Sequence, residues 1–254
     1  MTMQRGKAIR IVIAVASFGL GAAALIGGEV LFALYGFGSP EPFTNPSREP
    51  VHLGSGSPIT LVVMGDSTAA GQGSPYESGI AMRCVRFLAQ RHRVTLINLG
   101  VSGATTPEVM SAQLESACQF KPDIVLIASG ANDATHFTAS DRILDSAKAI
   151  VASLARLPNP PAVIVTGSPD LGSAPRFPQP LRWFAGTQTK RVNAVWRDAI
   201  AGTDTIMAPV VESGPIFARH PQLYNTDAFH PNASGYGEWW PIIRAALEQA
   251  EAAR

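Results

Sequence analysis

The chain has 254 residues, a formal net charge of +1 and 15% charged residues. That length holds one sizeable domain with an appendage, and the near-neutral charge offers no basic surface for nucleic acid. Its five histidines and two cysteines are scattered too thinly for a structural zinc site.

Arg5, Lys7 and Arg10 precede residues 11–28, eighteen residues without a formal charge; Glu29 interrupts the run and VLFALYG continues it to residue 36. About 20 apolar residues span a bilayer as a helix, and a positive flank stays cytoplasmic. Residues 1–10 therefore read as a short cytoplasmic N-terminus and 11–35 as a transmembrane anchor or uncleaved signal. That arrangement puts the remainder outside the cell membrane. The alternative is a signal peptide cleaved near Ala22-Ala23-Ala24, which secretes a product with an awkward apolar start. Residues 36–58 contain five prolines and four glycines without an apolar period and read as an extended tether.

From residue 59 onward, short β-rich runs alternate with helical patterns. Strands are predicted at 60–65, 94–100, 123–129, 162–167 and 205–210, with helices at 77–91, 106–119, 140–156, 185–201 and 234–253. The strand runs lack strict alternation, as expected of strands buried on both faces. This order predicts an α/β domain over 59–254, with a five-stranded parallel sheet between two helical layers. Sites in such sheets form outside the carboxyl ends of the strands. Gly65-Asp66-Ser67, GVSGATT (100–106) and Ser129-Gly130-Ala131-Asn132-Asp133 fall at those ends, and DAFHPN (227–232) precedes the last helix.

A serine hydroxyl needs a nearby base to become a nucleophile. His230 is the best candidate, and Asp227, three residues earlier, can bind its Nδ1–H and leave Nε2 for Ser67. The main-chain N–H groups of Gly103 and Ser67, with the Asn132 amide, can supply an oxyanion hole. Together these residues resemble the SGNH (GDSL-type) hydrolases, esterases and lipases of flavodoxin-like fold. GDSTAAG at 65–71, Gly103 in NLGVSGATT, Gly130-Ala131-Asn132-Asp133 and Asp227-Ala228-Phe229-His230 match the four blocks in order, over about residues 59–250. The resemblance implies Ser67 as nucleophile, and no cofactor. The α/β-hydrolase elbow G-x-S-x-G is absent, because Ala69 replaces its second glycine.

Several residues carry a plainer reading. Asp66 is expected to shape the loop and helix start, and Asp133 to act as a structural acceptor. His136, close to Asp133, is the second candidate base. Trp183, Phe184, Trp239 and Trp240 are expected to serve in packing. Asn232-Ala233-Ser234 matches a glycosylation acceptor, but a glycan there would block the site. Cys84 and Cys118 would share an oxidising compartment. Right-handed crossovers nevertheless put their helices on opposite sheet faces, unless the second strand is an edge they can meet around.

Three functions compete. The first is ester hydrolysis, on a small-molecule, glycan or lipid ester. The second is a metal-dependent phosphoesterase using Asp66, Asn132, Asp227 and His230, although only one histidine is near a motif. The third is a binding domain with GVSGATT cradling a phosphate, which would leave the Ser67, Asp227 and His230 set idle.

Overall fold

Valine, isoleucine and leucine fill the predicted strand runs, and in the computed structural model they line a sheet covered on both sides. The structure describes residues 2–37 and 43–253. In chain order the elements are α1 (Thr2–Tyr35), β1 (Val51–Leu53), β2 (Ser57–Gly65), α2 (Ser67–Ala70), α3 (Ile80–Leu88), β3 (His92–Asn98), α4 (Thr106–Gln119) and β4 (Ile124–Ala128). There follow α5 (Ala131–Thr135), α6 (Ser140–Ala155), β5 (Ala162–Val165), α7 (Leu181–Ile200), β6 (Ile206–Met207), α8 (Gly214–Arg219) and α9 (Ala233–Ala252).

The sheet order is β1-β3-β2-β4-β5-β6. The five expected strands are present and parallel to their neighbours. A sixth strand, β1, pairs antiparallel with β3. It comes from VHL within the stretch read as tether, where three residues between Pro50 and Gly54 are too few to show a period. The same stretch touches the domain again at Asn45, whose Oδ1 accepts from Ser102 N at 2.8 Å. Residues 38–42 of that stretch lie outside the described residues.

Alternation along β2 sends Leu61 and Val63 to the face covered by α3 and α9, and Val62 and Met64 to the face covered by α4, α6 and α7. Cys84 belongs to the first layer and Cys118 packs against the second. Both thiols are free. β1 closes the outer side of β3, so the two helices have no route around that strand. Burial pushes the Cys84 thiol up to about 12.

β2 is the switch point of the topology, with β3 on one side and β4 on the other. The crevice at the carboxyl end of such a strand is where doubly wound sheets place ligands. Gly65 ends β2 there, at φ 138°, and a Cβ on it would lie 1.9 Å from Ala128 O. Only glycine meets both conditions.

The N-terminal run forms a single helix, and its Val15–Tyr35 portion is long and apolar enough to cross a membrane. The domain touches it near its end. Glu29 and Ala33 are buried, and Glu29 Oε2 accepts from Leu181 N at 2.9 Å.

Candidate active site

Ser67 opens α2, directly after the turn that ends β2. Asp66 caps that helix as expected: its Oδ1 accepts from Thr68 N at 2.9 Å and from Thr68 Oγ1 at 2.8 Å. Among the described residues no donor reaches Asp66 Oδ2, which is fully buried. Desolvation raises this carboxyl from its ordinary 3.8 to about 6, against the lowering effect of the Thr68 bonds and His230.

His230 Nε2 lies 2.9 Å from Ser67 Oγ, although the two are 163 positions apart in the chain. On the other side of the ring, Nδ1 lies 2.5 Å from Asp227 Oδ2. Asp227 Oδ1 accepts from the N–H groups of Phe229 and His230, each at 3.0 Å. Burial pulls the Asp227 carboxyl up, but the bond and charge of His230 and these two N–H groups outweigh it and hold it below the usual value. An ionised carboxylate has no proton to give, so Nδ1 must donate. Nε2 is then free to accept the Ser67 proton.

Gly103 lies in the loop after β3 with φ 87°. Asn132 lies in the first turn of α5, and its Nδ2 donates to Ala104 O at 3.2 Å, next to Gly103. Thr68, Ala131, Phe229 and His230 share the wall of one cavity of about 20 Å³, so the neighbours of Ser67 and Asn132 meet beside the imidazole. Asp133 accepts from Thr106 N at 2.9 Å and Thr106 Oγ1 at 2.7 Å, tying α5 to the start of α4. His136 is exposed, and its Nδ1 contacts Asn132 O at 2.9 Å. The ring that meets Ser67 is His230.

The sequence profile of the GDSL-like Lipase/Acylhydrolase family matches residues 63–237. The chain belongs to this family. It is 31% identical over 251 residues to the GDSL-like esterase Rv1075c of Mycobacterium tuberculosis, covering 91% of this chain and 78% of the relative. The fold is shared with a lipase/acylhydrolase from Enterococcus faecalis, at TM-score 0.60 and 22% identity over 76% of this chain and 96% of that one. It is also shared with the esterase EstA of a Pseudoalteromonas species, crystallised inhibited by monoethylphosphonate, at TM-score 0.59 and 18% identity over 75% and 97%. The chain is thus an SGNH serine hydrolase acting on ester bonds.

Two residues that brace the turns of Ser67 and Asp227 stand outside the sequence motifs. Gln113 of α4, 1% exposed, exchanges two hydrogen bonds with the main chain of Gly65. It interrupts the buried stripe Val109, Gln113, Ala117, and a polar residue in such a stripe is the signal that could have found it. Arg176 holds the turn of Asp227: its Nη1 donates to Asp227 O at 2.9 Å and its N to Ala228 O at 3.0 Å. Ala228 has φ 54°, a left-handed conformation that needs such support. No local signal marks an arginine in a proline-rich loop for this task.

The candidate glycosylation site is also occupied by the fold. Asn232 Oδ1 accepts from Ser234 N and Gly235 N to cap α9, while its Nδ2 donates to Gln222 O and Tyr224 O. Trp239 is buried and Trp240 packs on Phe87, as expected, but Trp183 is 69% exposed. Among the described residues, no three His, Cys, Asp or Glu side chains are grouped to hold a metal ion.

Proposed function

We propose that this hydrolase cleaves carboxylic esters through an acyl-enzyme on Ser67. His230 Nε2 takes the Oγ proton as Oγ attacks the carbonyl carbon, and the Asp227 carboxylate supports the resulting imidazolium. The N–H groups of Ser67 and Gly103 and the Asn132 amide receive the oxyanion. The imidazolium then gives its proton to the leaving alcohol as the carbon–oxygen bond breaks. His230 deprotonates a water, whose attack releases the acid and restores the Ser67 hydroxyl. No step needs a cofactor. The observation that carries this reading is the pair of contacts on the His230 ring, 2.9 Å to Ser67 Oγ and 2.5 Å to Asp227 Oδ2.

Pre-steady-state hydrolysis of an activated ester is the test. A burst of alcohol equal to the enzyme concentration is expected, lost in Ser67→Ala. A full burst in that variant refutes the assignment.

The metal-dependent alternative gains nothing from the geometry. Asp227 spends its carboxylate on His230 and two N–H groups, and Asp66 spends one oxygen on Thr68.

The reading extends to location. Arg5, Lys7 and Arg10 flank the apolar helix on one side and the domain follows on the other, which supports an anchored hydrolase facing outward. Protease added to intact cells should then digest the domain and spare the N-terminus. The substrate class is a small-molecule, glycan or lipid ester met outside the cytoplasm.

A further inference from the structure

Trp183, Phe137 and Phe184, outside the site, stand open to solvent at 69%, 59% and 38% exposure. Trp183 and Phe184 lie in the first turn of α7, and the Phe184 ring meets Phe137 with centroids 5.6 Å apart. Phe137 follows α5, the helix that carries Asn132. The patch therefore adjoins the end of the helix that carries Asn132.

Its height relative to the anchor is defined by one contact. Residues 11–28 carry no charge, and eighteen helical residues rise about 27 Å, close to the thickness of a bilayer's hydrocarbon core. Glu29 is the first charged residue beyond that run, and the apolar helix continues past it only to Tyr35, so it lies toward the outer end of the span. Its carboxylate accepts from Leu181 N at 2.9 Å, two residues before Trp183. Arg176 Nη2 adds a second tie, donating to Leu34 O at 3.3 Å. The first turn of α7 is thus held beside the outer end of the apolar helix. Trp is the side chain best suited to that level, with an apolar ring and a polar N–H. Exposed Leu31, Phe32 and Tyr35 on α1 extend the same apolar surface along the helix.

We propose that Trp183, Phe184 and Phe137 rest in the interface of the lipid bilayer that α1 crosses, seating this side of the domain on the membrane. This rests on the anchor reading above. It is independent of the chemistry assigned to Ser67.

The full-length chain, reconstituted into phosphatidylcholine–phosphatidylglycerol vesicles with and without brominated acyl chains, tests it. Trp196 and Trp239 are buried and Trp240 packs against Phe87, so Trp183 is the residue placed to meet lipid. Brominated lipid should quench part of the tryptophan emission, and Trp183→Phe should lose that part while still hydrolysing a soluble ester. Carbonate-resistant association with the vesicles reports the anchor separately. A chain that resists carbonate but shows no lipid quenching, with Trp183 open to aqueous acrylamide, overturns the proposal and leaves the anchor standing. Trp183 shielded from both quenchers also overturns it, assigning the patch to a second copy or another protein. A chain stripped by carbonate defeats the anchor and the proposal together.

Discussion

Gln113 and Gly65 are joined by two buried hydrogen bonds: Gly65 N donates to Gln113 Oε1 at 2.8 Å and Gln113 Nε2 donates to Gly65 O at 2.9 Å. The pair braces the last residue of β2 against α4, two residues before Ser67. The carbonyl has a second donor in Val101 N, whereas the Gly65 N–H donates to Gln113 Oε1. Gln113→Leu should therefore cost about 1–3 kcal/mol, the cost of a stranded buried donor. Thermal unfolding beside the parent checks this. Turnover should fall with KM little changed, since Gly65 sets the turn that presents Ser67. An unaltered midpoint would show that the strand relaxes without the glutamine.

Asp227→Asn keeps an oxygen for the Phe229 and His230 N–H groups but removes the acceptor for Nδ1–H. The imidazole then loses the tautomer that leaves Nε2 unprotonated. In a serine protease triad this change costs about ten-thousand-fold in turnover, and a similar loss is expected here. Steady-state kinetics at fixed pH would show it, and a loss under tenfold would demote Asp227 to a turn residue.

Arg176 touches no reacting group; its side chain holds the Asp227 carbonyl, while its main-chain N–H, kept in any variant, holds that of Ala228. Arg176→Gln should lower turnover and loosen the left-handed turn, with Arg176→Lys recovering part of the loss. A hydrogen bond to a charged group contributes about 1.5–3 kcal/mol, so a stability loss within that span is expected. Equal activity in parent and Arg176→Gln would show that the turn holds itself.

Asp66 and Asp227 should bend the stability–pH curve in opposite senses. Asp66 is raised from 3.8 to about 6, so the folded state keeps a proton that the unfolded chain has released. Its favourable contribution is complete below the ordinary value and is lost as pH rises through about 6. About two pH units correspond to about 3 kcal/mol for so buried a group. Asp227 is lowered, and its contribution is present above the ordinary value and lost as pH falls through its own. Asp66→Asn should flatten the fall in melting temperature between about pH 4 and 6. An unchanged slope in that variant would place the titration elsewhere.

Legibility in the sequence followed the range of the interactions. The β-rich runs predicted the parallel sheet because strands buried on both faces need near-continuous apolar residues. α4 fell at 106–119 as expected, and the structure shows why: Thr105 and Glu108 form a capping box. The joining of Ser67, His230 and Asp227 was legible because each stands in a motif at the carboxyl edge. Gln113 and Arg176 were not, because their partners are 48 and 51 residues away and they contact main chain, which no side-chain pattern reveals. β1 was too short for a period and borrows its stability from β3. The exposure of Trp183 is a tertiary fact that local composition does not carry.

Covalent capture is the sharpest probe of Ser67 as the nucleophile. The full-length enzyme, treated with a serine-reactive phosphonate and digested, should yield one modified peptide, with Oγ of Ser67 bonded to phosphorus and the reagent's leaving group lost. Ser67→Ala should take no label, and Asn132→Ala should label slowly, since losing one oxyanion donor costs about a hundred- to a thousand-fold. An active enzyme that carries the adduct on another residue, or resists the reagent altogether, would contradict the account.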